Sequence, residues 1–359
     1  MNATISASCG NVTPLPEAMP APAASPDPEA SPAPGSGPLV FLFNGDADGL
    51  TAQHILGLTL GAPDLRITGW KRDVHLLRRL PPMAAGRIHA LDISLRQNLD
   101  VLPAVLGQGN VEITWYDHHD PGEPPAHPRL HLHIHQAPGT CTAAIVHAVC
   151  GRAHPLWAAM AAFGDNVPAT AEALVKDAGA GSEAAARLRQ AGILLNYNAY
   201  GEKPGDVLYE PADLAVRMAA FRSALDFAAE AALFDPLEAQ FLADQARFEG
   251  LAALVDAPAS RAFLVPDEPW ARRFAATWAN ARILAHPQEA LAMIHPRADG
   301  TFSVSIRAPR RAEGHAPSAA DLAAEFPTGG GRKLAAGINI LPASDFERFL
   351  ERFRGFFGG

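Results

Sequence analysis

Cysteine is scarce in this chain: three residues, Cys9, Cys141 and Cys150, in 359. They fit no zinc-ligand spacing and no even-numbered disulfide framework, which excludes a disulfide-stapled scaffold and points to a reducing compartment, the cytoplasm. Long apolar runs are missing too, since no stretch reaches the roughly 18 uninterrupted apolar residues of a membrane-spanning helix. Basic charge is also in short supply, with 29 Lys and Arg against 38 Asp and Glu and a formal net charge of −9. That balance excludes a protein that coats long duplex nucleic acid by neutralising many phosphates. It leaves room for a local positive pocket that takes a mononucleotide or a short oligonucleotide.

What is abundant at the start of the chain is proline, alanine, serine and glycine. Residues 1–37, with "PLPEAMPAPAASPDPEASPAPGSGP", lack both a charged n-region and a continuous h-region, so they read as a flexible, disordered leader and not a signal peptide. The remaining length suits about two domains of ordinary size.

From Pro38 onward the pattern alternates. "PLVFLF" reads as a strand and "GLTAQHILGLTL" as a helix; "LRITGW", "RIHALDI" and "VEITWYD" read as further strands with short helical segments between them. "LHLHIHQ" reads as an edge strand, and "TCTAAIVHAVCG" and "PLWAAMAAFGDN" as helices. Such alternation predicts an α/β domain, a parallel sheet with helices on both faces. Residues 175 to about 255 read mainly as alanine-rich helix, a spacer and packing element.

The acidic and imidazole residues of the first domain follow its strands and helices in order. Asp46 and Asp48 come after the first strand, Asp92 after "RIHAL", Asp117, His118 and His119 after "VEITWY", and Asp165 closes "MAAFG". In an open α/β sheet the loops at the carboxyl ends of strands converge on one crevice. Carboxylates gathered there repel one another unless a cation joins them, and an oxygen-rich set with imidazole suits Mn²⁺ or Mg²⁺. Each piece has a plainer reading: "DAD" before glycine is a good turn or helix N-cap, and Asp92 a loop residue.

"NGDADGLTA", "ALDIS", "WYDHHDP" and "AAFGDN", over residues 38 to about 170, resemble the four ordered motifs of the DHH phosphoesterase superfamily. That group includes RecJ-type exonucleases, oligoribonuclease/pAp-phosphatases and cyclic dinucleotide phosphodiesterases. "FSVSIRAP" (residues 302–309) and "GGGRKLAAGI" (residues 329–338) resemble the strand and glycine-rich loop of the DHHA1 substrate-binding domain. The resemblance implies a DHH domain at 38–175, a helical connector at 176–255 and a smaller α/β DHHA1 domain at 256–359. It implies hydrolysis of a phosphodiester or phosphomonoester with one or two bound ions, Mn²⁺ or Mg²⁺. Asp92 would bridge the ions, Asp48, His118 and Asp165 would complete one site, and Asp46 would belong to the other. His119 would face the substrate phosphate as donor or general acid, with Asp117 orienting the histidines. Gly329, Gly330, Gly331, Arg332 and Arg307 would bind substrate.

Two departures from the family pattern matter. Its first motif begins with a histidine where this chain has Leu42, which cannot ligate a metal; Asn44, nearer the pair, offers only a weak amide oxygen. Leu42→His is therefore expected to raise metal occupancy. Its glycine loop commonly ends in histidine where this chain has Arg332, which retains a cation and offers a bidentate grip. These departures sustain an alternative in which the protein binds a nucleotide or phosphorylated ligand without turnover. Lys71 and Arg72 in "GWKRDVHLL" are either phosphate contacts or a charged strand-to-helix loop. "NYNAYGE" (residues 196–202) is either a cleft lining or a polar turn, and His131, His133 and His135 are either a second metal site or an exposed edge strand.

Overall fold

Every residue of strand β1 (Leu39–Asn44) is buried, which is why its run of apolar residues does not alternate with polar ones. In the computed structural model, which describes residues 37–83, 85–203, 205–309 and 318–358, Phe41 and Phe43 face one apolar cluster and Val40 and Leu42 another. The proline-rich leader lies outside the described residues. Helix α1 (Ala47–Leu60) follows, then β2 (Leu65–Gly69), β3 (Ala85–Leu91), α2 (Leu102–Leu106), β4 (Asn110–Asp117) and β5 (Leu130–Ile134). The five strands pair in parallel in the order β2-β1-β3-β4-β5, with the "LHLHI" strand at an edge. The chain passes from β1 to one neighbour, β2, and then to the other, β3, so the switch point of the sheet lies between β1 and β3.

Helices α1, α3 (Thr142–Val149) and α4 (Pro155–Gly164) cover the face of Phe41 and Phe43. The other face is covered by α2 and a short 3₁₀ turn, Leu76–Arg79, whose leucines join Leu42 and Trp115. A helical middle section follows: α5 (Pro168–Asp177), α6 (Ser182–Asn198), α7 (Pro211–Met218), α8 (Ala224–Ala228) and α9 (Ala231–Glu249).

The rest of the chain forms a mixed sheet from β6 (Val255–Ala257), β7 (Ser260–Leu264), β8 (Ala290–Pro296), β9 (Phe302–Arg307), β10 (Gly329–Arg332) and β11 (Ala335–Leu341), in the order β10-β11-β9-β8-β7-β6. Helix α10 (Pro269–Ala285) lies between β7 and β8 in the chain; α11 (Ala319–Ala324) precedes β10, and α12 (Phe346–Phe357) ends the fold. Buried arginines of α10 tie it to the helical section. Arg273 pairs with Asp244 of α9 at 2.8 Å and meets the Tyr197 hydroxyl of α6 at 3.0 Å, while Arg272 pairs with Asp206 at 2.7 Å.

The glycine run expected as a loop is instead an edge strand. Gly329, Gly330 and Gly331 of β10 face Ile338, Gly337 and Ala336 of β11 in antiparallel register. Packing is the reason: a Cβ on Gly329 would lie 1.8 Å from the Ala323 carbonyl oxygen at the end of α11. Gly331 has φ of +144°, and a Cβ there would lie 2.5 Å from the Ala336 Cα.

Candidate metal centre

The turn after β1 delivers two carboxylates with different duties. Asp46 is the N-cap of α1, its Oδ1 accepting from the backbone N–H groups of Asp48 and Gly49 at 3.0 Å each. The helix-cap reading of "DAD" is thus true of Asp46. Asp48 reaches across to the first turn of α3, where its two oxygens accept from the N–H groups of Thr142 and Ala143 at 2.7 Å each. The switch point brings Asp92 beside them, directly after β3. Its φ of +58° is left-handed, a conformation that few residue types besides glycine adopt, and Thr142 Oγ1 donates to its Oδ1 at 3.1 Å.

Asp117 ends β4. Its Oδ1 accepts from the His118 N–H at 2.8 Å and lies 2.7 Å from His119 Nδ1. Its Oδ2 is buried with no hydrogen-bond partner among the described residues. His118 Nε2 stands 3.5 Å from Asp92 Oδ1 and 3.7 Å from Asp165 Oδ2. Two donor sets result: Asp48, His118 and Asp165 in one, and Asp92, Asp117, His118 and His119 in the other, each with donor atoms within 4.8 Å of one another. His118 is common to both, and Asp46 stands in neither.

The carboxyl groups crowd one another, and Lys71 and His118 offset only part of the repulsion. Burial, reinforced by Asp46, Asp48 and Asp165, pushes the Asp92 carboxyl well above the ordinary range. Burial and the neighbouring Asp48 raise Asp165 to about 8, with Lys71 opposing. Asp48 is also raised by burial, against the pull of His118. Burial works against the charge of Asp46 as well, yet the Lys71 ammonium and the Gly49 N–H overcome it and hold that carboxyl below its usual range. The hydrogen bond to Asp117 raises His119. A divalent cation among Asp48, Asp92, His118 and Asp165 would relieve this repulsion, and carboxylate oxygens with one imidazole are the donors that Mn²⁺ and Mg²⁺ accept. The residues fit such an ion.

Leu42 is not part of this place. Its side chain is 0% exposed, packed in the apolar cluster with Val40, Ile88 and Ile113, and its strand partners are Ile67 and Ala90. A histidine there would project into the core, because position 42 lies two residues before the end of β1 on a core-facing register. Asn44 is the strand residue at the site: its Oδ1 accepts from the Asp46 N–H at 3.3 Å and its Nδ2 donates to the Lys71 carbonyl at 3.2 Å. Lys71 forms an ion pair with Asp46 and donates to Asn196 Oδ1 at 3.1 Å. Arg72 pairs with Glu202. "NYNAYGE" therefore closes α6 against "GWKRD". His133 stacks on Tyr116 with ring centroids 4.9 Å apart, and none of the three strand histidines joins a donor set among the described residues.

A cavity of about 260 Å³ is lined by Asn166, which follows Asp165 in the chain, and by Asn280, Leu284, Arg307 and Leu334. A second, about 210 Å³, adjoins it and adds Asn196 and Tyr200. Arg307 lines this cleft, its pKa lowered by burial and by the nearby Arg332. Sequence reasoning missed Thr142, Asn166 and Asn280. Thr142 carried a signal, a small hydroxyl residue opening an apolar helix; Asn280, inside alanine-rich α10, carried none.

No protein-family model matches the chain, and no curated protein sequence matches it. Solved structures do. A manganese-bound exonuclease RecJ is similar with a TM-score of 0.56 at 19% identity, over 89% of this chain and 90% of that one. The DHH domain of a member of the s1p family of ribosomal proteins aligns with a TM-score of 0.56 at 13% identity, covering 89% and 86%. The pGpG-specific phosphodiesterase PggH of Vibrio cholerae aligns with a TM-score of 0.51 at 12% identity, covering 89% and 99%. A parallel five-stranded sheet, a helical section and a second, mixed sheet, matched across most of the chain, are the fold of the DHH-domain proteins.

Proposed function

We propose that this chain is a divalent-metal-dependent phosphoesterase that hydrolyses a phosphodiester or phosphomonoester of a small nucleotide or short oligonucleotide. The observation that carries the proposal is the meeting of Asp48, His118 and Asp165 in one donor set and of Asp92 with the same His118 at 3.5 Å, with Asn166, next in the chain after Asp165, lining a cleft with Arg307. Proteins of similar fold include an exonuclease and a phosphodiesterase, which supports the reaction class. Asp48, Asp92, His118 and Asp165 would hold Mn²⁺ or Mg²⁺, which when bound makes water acidic enough to supply hydroxide near neutral pH and neutralises phosphoryl oxygens. Asp117 holds His119 through Nδ1 and favours its protonated ring, whose Nε2–H would donate to the phosphate or the leaving oxygen. Arg307, with Arg332 nearby, would bind phosphate, and the asparagines of the cleft would face the rest of the ligand.

The test is turnover of pAp, pApA, cyclic dinucleotides, short RNA and single-stranded DNA with Mn²⁺ and with Mg²⁺. Turnover that disappears in Asp92→Asn and His118→Ala is the expected result; a wild type no faster than those variants overturns it. A second reading, a binder without turnover, draws on the Lys71–Asp46 ion pair, which removes one carboxylate from metal binding. Calorimetric binding of the same nucleotides without turnover would select that reading.

A further inference from the structure

We propose that the Lys71 ammonium takes the place of a second metal ion, so that the centre holds a single divalent cation. The proposal rests on the metal-dependent reading above and concerns this chain's own cation. Lys71 is held on both sides of its backbone: its N–H donates to the Ala199 carbonyl at 2.8 Å, and its carbonyl accepts from Asn44 at 3.2 Å. The side chain is therefore aimed by β1 and the end of α6, and it is not a solvated lysine that has wandered in. Its Nζ pairs with Asp46, donates to Asn196 Oδ1 at 3.1 Å, lies 3.9 Å from Asp165 Oδ1 and sits 5.6 Å from the centre of the Tyr200 ring.

Asp46 offers a metal less than Asp48, whose oxygens each accept a single backbone N–H and face no ammonium among the described residues. One Asp46 oxygen caps α1 twice and the other holds the ammonium. That agrees with its place outside both donor sets, which share His118, while Lys71 Nζ lies 3.9 Å from Asp165 Oδ1 of one of them. A divalent ion brought to Asp46 would meet a positive charge already fixed there, and like charges at contact distance repel strongly in a partly buried site. The ammonium supplies in permanent form one of the two positive charges that a second divalent ion would bring to Asp46.

Manganese titration of the purified full chain tests this, read by calorimetry, by metal content after desalting and by electron paramagnetic resonance. The wild type should take up one Mn²⁺ per chain and show the hyperfine pattern of an isolated ion. Lys71→Met, which retains the aliphatic stem and removes the charge, should take up two, with a spin-coupled spectrum; circular dichroism establishes that it is folded. Two coupled ions in the wild type overturn the inference, whatever the variant does. A folded Lys71→Met that still holds one ion also overturns it. No ion in the wild type would overturn both this inference and the metal-dependent reading, and is thereby distinct from failure of the inference alone.

Discussion

Replacing Leu42 with histidine separates a motif-based expectation from a structural one. If position 42 were a vacant ligand position, the substitution would add a metal donor. In the folded chain it instead exchanges a fully buried leucine, set against Ile67 and Ala90, for an imidazole with no polar atom designed to meet it. Removing a leucine side chain from such a site forfeits roughly 2 to 3 kcal/mol of burial. Leaving a ring N–H or N unsatisfied adds about 1 to 3 kcal/mol. The sum, about 3 to 6 kcal/mol, is a large share of the roughly 5 to 15 kcal/mol that holds a domain folded. Urea unfolding monitored by tryptophan fluorescence suits the question, because Trp115 is buried in the same cluster as Leu42, its indole N–H 2.7 Å from the Ile93 carbonyl. Leu42→His should unfold at much lower urea and bind no more Mn²⁺ than the wild type. A variant with an unchanged midpoint and an additional bound ion would refute the placement of Leu42 in the core and restore the missing-ligand argument.

Three further outcomes are expected. Arg307→Ala should raise KM for a phosphorylated substrate by about tenfold or more while lowering kcat less, since Arg307 lines the cleft and not the carboxylate cluster; equal losses in kcat alone would place it in the chemistry. Gly329→Ala should destabilise the second sheet, because its Cβ would strike the Ala323 carbonyl, whereas Gly330→Ala, with nothing within 4 Å, should leave the thermal midpoint unchanged. His89, buried against Tyr116 and Phe41, has its pKa lowered to about 4 by burial, with Arg87 and His133 adding to it. The unfolded chain binds a proton there near pH 6.5 and the folded chain does not, so this contribution is intact above pH 6.5 and is lost as pH falls toward 4. Its full size is about 3 kcal/mol, and His89→Phe should flatten the fall in the urea midpoint between pH 7 and pH 5; an unaltered pH profile would show that His89 titrates normally.

Much of the first sheet was legible because its strands are short apolar runs bounded by turn residues, and burial on both faces leaves β1 with no polar position before Asn44 at its end. The gathering of Asp48, Asp92 and His118 was legible for a topological reason: parallel strands put their carboxyl ends on one edge, whatever the intervening residues. The glycine run was read as a loop because nothing local distinguishes a phosphate-binding turn from a strand that must slide past the end of α11; only the close approach to Ala323 decides it.

Lys71 shows where sequence reading stops, and why. "GWKRD" has the letters of a solvated connection, and in isolation its lysine would point to water. Its actual direction depends on Ala199 and Asn196, some 125 residues on, and on Asn44, 27 residues back. Which carboxylates converge follows from strand order, but which cation meets them follows from how the end of α6 packs on the edge of the sheet. Leu42 fails in the opposite direction: the motif suggested chemistry at a position inside an uninterrupted apolar run, in a strand buried on both faces, where it shares a cluster with Val40. When a motif and an unbroken apolar run disagree about a residue in a buried strand, the run carries the physical constraint, because a strand buried on both faces leaves a polar side chain within it neither solvent nor partner.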